Sequence, residues 1–77
     1  MKVQVYAVLK DYFDKEFEIS ENVCTIDELK EILIQLNPEV KYILPVCRFA
    51  INDIFVSNDF QFQYNDQIHI MPPSSGG

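Results

Sequence analysis

Thr25-Ile26-Asp27-Glu28-Leu29-Lys30-Glu31-Ile32-Leu33-Ile34-Gln35-Leu36-Asn37-Pro38 is the one long helical stretch in a chain that otherwise alternates like strands. Thr25 to Glu28 forms a capping box: the Thr25 hydroxyl is placed for the Glu28 amide, and the Glu28 carboxylate can reach back. Cys24 and Leu29 are spaced as the accompanying hydrophobic staple. Ile26, Leu29, Ile32, Leu33 and Leu36 recur at helical spacing and define one apolar face. Asn37-Pro38 ends the pattern, because proline disfavours helix in the residue before it. The expected element is a helix of about three turns, packed by one face on a sheet.

Upstream, Lys2 to Lys10 alternates in period two. Val3, Val5, Ala7 and Leu9 share one face, and Lys2, Gln4, Tyr6, Val8 and Lys10 the other, as in a half-buried strand. Asp11 to Lys15 interrupts the pattern with turn residues. Phe17 and Ile19 then alternate with Glu16, Glu18 and Ser20, so the two runs read as a hairpin. Downstream, Val40, Ile43 and Leu44 suggest a short second helical turn between Pro38 and Pro45. Val46 to Asn52 alternates with Cys47, Phe49 and Ile51 on one side. Ile54-Phe55-Val56 follows after a tight Asn52-Asp53 connection, and Gln67 to Met71 is the last strand.

The order β-β-α-β-β-β is an α+β layout, one helix layer over one mixed sheet. A right-handed crossover through the helix sets the first and last strands side by side at the centre, which is the ubiquitin-like β-grasp arrangement. Patterning supplies the elements, and the sheet order rests on the crossover rule. Residues 1–71 are read as a single domain and residues 72–77 as a flexible C-terminal tail that projects from it.

Composition narrows the function. In 77 residues there is room for one modest core, but 48% hydrophobic content with six Phe and four Tyr suffices without disulfide or metal staples. A formal net charge of −6 repels a phosphate backbone, so nucleic acid is a poor partner. No apolar run approaches the roughly 20 residues that span a bilayer, and Met1-Lys2-Val3 does not open a signal peptide, so a cytoplasmic protein without membrane contact is expected. Cys24 and Cys47 form no C-x-x-C pair and read as two buried thiols; no metal site is signalled. His69 is the only histidine. Strand parity turns it outward and Cys47 inward, so the two form no nucleophilic pair. Glu16, Glu18 and Glu21 read as a solvated edge.

The tail is the distinctive feature. After Met71 the chain reads Pro72-Pro73-Ser74-Ser75-Gly76-Gly77, with no apolar residue to anchor it. Six extended residues reach roughly 20 Å, and two prolines stiffen the root. Terminal glycines lack Cβ atoms, so the end can pass through a channel that would reject any other residue. Taken alone, such an ending also fits a frayed terminus.

Several segments together resemble the small subunit of molybdopterin synthase over nearly the full length. They are Val5-Tyr6-Ala7-Val8-Leu9-Lys10, Ala50-Ile51-Asn52, Asn65-Asp66-Gln67-Ile68 and Met71-Pro72-Pro73-Ser74-Ser75-Gly76-Gly77. Two positions depart from the family pattern: Asn65 stands where it usually has Gly, and Ser74 where it often has an apolar residue. Asn tolerates the left-handed region well enough to make the same turn.

The resemblance implies a sulfur carrier. A ubiquitin-activating-like adenylyltransferase would use ATP to adenylate the carboxylate of Gly77, and a sulfurtransferase system would convert it to a thiocarboxylate. Gly77 would then enter the large catalytic subunit of molybdopterin synthase and give its sulfur to a pyranopterin precursor in molybdenum cofactor biosynthesis. Pro72, Pro73, Ser74, Ser75 and Gly76 would thread the tail into that subunit. Tyr6, Val8, Lys10, Phe55 and Met71 would face the partner, within a heterotetramer built on two large subunits. The chain itself would bind no cofactor and have no independent enzymatic activity. Alternatives are a sulfur carrier for thiamine thiazole or tRNA thiolation, a ubiquitin-like protein modifier, and a pure binding module; the Pro-Pro root argues against the first.

Overall fold

The computed structural model describes residues 1–63 and 65–73. Five strands, β1 (Lys2–Val5), β2 (Glu16–Glu18), β3 (Arg48–Ile51), β4 (Ile54–Val56) and β5 (Gln67–Met71), form one sheet in the order β2-β1-β5-β3-β4. The central β1 and β5 run parallel, with Val3 opposite Ile68 and Val5 opposite Ile70, while the other pairs are antiparallel. A parallel pair needs a long crossover, and helix α1 (Ile26–Leu36) lies within it. The ubiquitin-like β-grasp reading is therefore the observed fold.

The core lies between α1 and the inward face of the sheet. Val3, Val5, Ile68, Ile70, Phe49 and Ile51 supply the sheet side, and Ile26, Leu29 and Leu33 the helix side. Each fully buried Leu, Ile or Val contributes about 1.5–3 kcal/mol relative to exposure. The N-cap half of the capping box forms: Thr25 Oγ1 accepts from the Glu28 amide at 3.3 Å. The Glu28 carboxylate accepts from the Thr25 hydroxyl at 3.3 Å instead of reaching the Thr25 amide.

Several expectations are corrected. The first strand stops at Val5, not Lys10. Ala7 takes φ 54°, which turns the chain into a 3₁₀ helix over Ala7–Asp11 and drives Leu9 into the core. A left-handed alanine costs about 1–2 kcal/mol, and burial of Leu9 offsets it. Val8 and Lys10 therefore sit on this turn and not on the outer face of β1. Cys24 is exposed and makes no staple; Val23 packs on the core instead. Leu36, at the last helical turn, is 58% exposed where the apolar spacing predicted burial. The second helical turn exists as two 3₁₀ pieces, Pro38–Tyr42 and Leu44–Val46, which bury Val40 and Leu44. This postpones the third strand from Val46 to Arg48.

The turns are local solutions. Asn52 and Asp53 have φ 53° and 65°, and Ile51 pairs with Ile54, so β3 and β4 are joined by a two-residue turn with both central residues left-handed. Asn65 has φ 70°, the conformation expected for a residue replacing glycine there.

Candidate functional site

The sheet face opposite α1 is uncovered, and its residues follow from strand parity. Glu16, Gln4, His69, Ala50 and Phe55 lie abreast in one row across all five strands. The adjacent row pairs Met71 with Arg48, and continuing the β1 register by one residue sets Tyr6 beside Met71. These rows meet around a hollow of about 220 Å³ lined by Tyr6, Ala50, Asp53, Phe55, His69 and Met71.

The walls of the hollow are ordered by specific contacts. Tyr6 stacks on His69 with ring centroids 5.8 Å apart, and its hydroxyl lies 2.7 Å from His69 Nδ1. The Arg48 guanidinium stands 5.1 Å from the centre of the Phe55 ring, a cation–π arrangement at the rim. Phe55 is 55% exposed and the neighbouring edge residue Ile54 66%. Phe55, exposed beside Met71 and Ala50 on the uncovered sheet face, makes the hollow a candidate partner surface.

Of the site residues expected from sequence, Tyr6, Phe55 and Met71 come together in this hollow. Val8 and Lys10 do not, because β1 ends before them. Sequence reading turned His69 outward but gave it no role. The parity that places Tyr6 and His69 outward on adjacent strands was the available signal for their pairing. Pro72 is half-buried and Pro73 exposed where the chain leaves β5, so the tail root lies directly beside Met71. Ser74, Ser75, Gly76 and Gly77 lie outside the described residues.

A larger hollow, about 570 Å³, occurs at the other end of β1 and β5. Met1, Glu18–Val23 and Gln67 are among its lining residues. It is remote from the tail root and mixes polar and apolar groups without a pair suited to acid–base chemistry, so the smaller hollow is the better candidate. Among the described residues no cluster of three or more His, Cys, Asp or Glu side chains is arranged to hold a metal ion. No helix among them is long and apolar enough to cross a membrane.

The two thiols differ in setting. Cys47 is half-buried beside the core, and its Sγ donates to the Ile43 carbonyl at 3.3 Å. Burial pushes its pKa up to about 11, against a smaller opposing pull from Lys30. A thiol so raised carries little thiolate near neutrality and is a poor nucleophile. The fold holds it neutral while the unfolded chain ionises from about 9, so its stabilising effect is complete below that pH and is lost as pH rises to about 11. Denaturant unfolding of Cys47→Ser and the unaltered chain should therefore diverge over this window, the unaltered chain losing stability faster. Parallel pH profiles would contradict the assignment.

A family model described as the ThiS family matches residues 3–77. The chain belongs to the ThiS family. It is thus a ThiS-type sulfur carrier, and solved structures agree with the fold. SAMP1 from Haloferax volcanii superimposes with TM-score 0.80 at 14% identity, covering 99% of this chain and 97% of that one. A molybdopterin converting factor subunit 1 candidate from Pyrococcus furiosus gives TM-score 0.74 at 21% identity, covering 95% of each chain. A third similar chain comes from a complex of subunits 1 and 2 of molybdopterin-converting factor from Helicobacter pylori 26695. It is 27% identical, with TM-score 0.71, over 99% of this chain and 96% of that one. Each likeness covers at least 95% of both chains, so the ThiS-family chain shares its β-grasp framework with all three.

Proposed function

We propose that this ThiS-family chain is the sulfur-donating small subunit of a molybdopterin synthase, with Gly77 as the reacting residue. The observation that carries the reading is the 27% identity, over nearly both full lengths, to a chain from a complex of molybdopterin-converting factor subunits 1 and 2. The Pro72-Pro73 exit beside an uncovered apolar hollow supports it: a partner that receives the tail must also approach Met71.

The chemistry follows from the poor electrophilicity of a carboxylate. An adenylyltransferase of the ubiquitin-activating type joins a Gly77 carboxylate oxygen to the α-phosphorus of ATP, with loss of pyrophosphate. AMP then becomes the leaving group: the terminal sulfur of a sulfurtransferase persulfide displaces it to give an acyl disulfide, and a thiol reductant cleaves the S–S bond to leave the thiocarboxylate. Inside the large subunit that sulfur attacks the pyranopterin precursor, and hydrolysis of the acyl–sulfur bond returns the carboxylate. The chain supplies reach, slimness and docking; the activating enzyme supplies ATP chemistry. A carrier for thiamine thiazole or tRNA thiolation shares every step up to the thiocarboxylate, and the family match alone fits it as well.

The two readings separate by acceptor. Chain carrying the thiocarboxylate is mixed with the large synthase subunit from the same source and the pyranopterin precursor. Formation of the dithiolene product is expected. Absence of product, with sulfur passing instead to a thiazole or tRNA system from that source, would move the alternative carrier to first place.

A further inference from the structure

We propose that His69, held by Tyr6, is the polar specificity contact of the docking face, donating from Nε2–H to an oxygen acceptor that the large subunit sets beside the hollow. This rests on the docking reading above. His69 lies at the centre of the outer row, between Gln4 of β1 and Ala50 of β3. Its ring is fixed twice, by stacking on Tyr6 at 5.8 Å and by the 2.7 Å contact between the Tyr6 hydroxyl and Nδ1. A neutral imidazole has one donor and one acceptor nitrogen, and the hydrogen bond made by one of them sets the other. In the proposed tautomer the phenol donates to Nδ1 and the proton resides on Nε2, a nitrogen that no group among the described residues bonds.

The rest of the hollow is apolar apart from Asp53 at its edge. An apolar partner side chain over Ala50 and Phe55 would strip water from the imidazole, and a donor so stripped is costly unless it finds an acceptor. The occupant that fits is a large-subunit segment presenting an apolar side chain next to a backbone carbonyl or carboxylate. Continuity with the tail root favours that partner: the chain passes from Met71, a wall of the hollow, straight into Pro72. Tyr6 is then a positioning residue and His69 the contact.

Affinity for the large subunit, measured by calorimetry on the full chain, tests this with a graded set. His69→Phe keeps the ring but removes the donor, and should weaken binding about tenfold or more. His69→Gln restores an N–H near the Nε2 position and should recover most of the loss; His69→Asn places its amide near Nδ1 and should not. Tyr6→Phe should weaken binding in the unaltered background and have no further effect in His69→Phe. Thermal melts check that each variant folds. Unchanged affinity in His69→Phe, equal loss in the Gln variant, or equal Tyr6→Phe effects in both backgrounds would overturn the proposal while leaving docking intact. Failure of the unaltered chain to bind the large subunit would overturn the docking reading and this inference together.

Discussion

A chain shortened to end at Gly76, or lengthened by one residue after Gly77, folds like the unaltered protein and transfers no sulfur. The fold should survive because, among the described residues, every member of the core lies before the tail, the last being Ile70 in β5. Sulfur transfer should fail because the tail delivers an atom to a fixed place. One residue moves the reacting carbon by about 3.5 Å, and a misplacement of about 1 Å costs about a hundredfold in rate. Activity below about one per cent of the unaltered chain is therefore expected, read as dithiolene product in the reconstituted synthase. Normal activity from either variant would remove Gly77 from the mechanism. Gly77→Ala should lie between these limits, since it keeps the length but adds a Cβ to a tail end proposed to enter a narrow channel.

The second large effect concerns the outer sheet face. Phe55→Glu or Met71→Glu should weaken binding of the large subunit about a hundredfold, because docking would strip water from a carboxylate among apolar groups. Arg48, opposite Met71 and stacked on Phe55, is close enough to either position to soften that cost by pairing. Adding Arg48→Gln should accordingly deepen the loss. Phe55 is more than half exposed in the free chain, so its substitution should leave the melting temperature nearly unchanged and isolate the effect on docking. Unaltered affinity in both variants would show that the partner docks elsewhere. The two effects are separable: the docking variants keep a Gly77 that can be charged with sulfur, and the tail variants keep the docking face.

Much of this architecture was legible because it is written in local patterns. The Thr25–Glu28 capping box and the Ile26, Leu29, Leu33 spacing announced α1, and the alternation through Ile68 and Ile70 announced β5 and its inward face. Asn52-Asp53 and Asn65 marked left-handed turns through residue types that tolerate positive φ. The misreadings arose where tertiary packing overrode a local pattern. Ala7 has no propensity for the left-handed region, yet it adopts it so that Leu9 can close the end of the core; period-two alternation from Lys2 to Lys10 gave no warning. That one turn removed Val8 and Lys10 from the docking face. Leu36 fits the apolar face of α1 by spacing, but α1 stops there and leaves it exposed. The Tyr6–His69 contact joins residues 63 positions apart; parity and the crossover rule put both outward on neighbouring strands, but only the register of β1 against β5 brings them within reach.

The most direct test of the sulfur-carrier reading is an intact mass spectrum of the protein purified from its native host after deletion of the large subunit, where the charged form should accumulate instead of being consumed. The predicted result is a chain heavier by the difference between one sulfur and one oxygen, with fragment ions placing the change at Gly77. An unmodified carboxylate on the whole population, or Gly77 joined to a lysine of another protein, would contradict it.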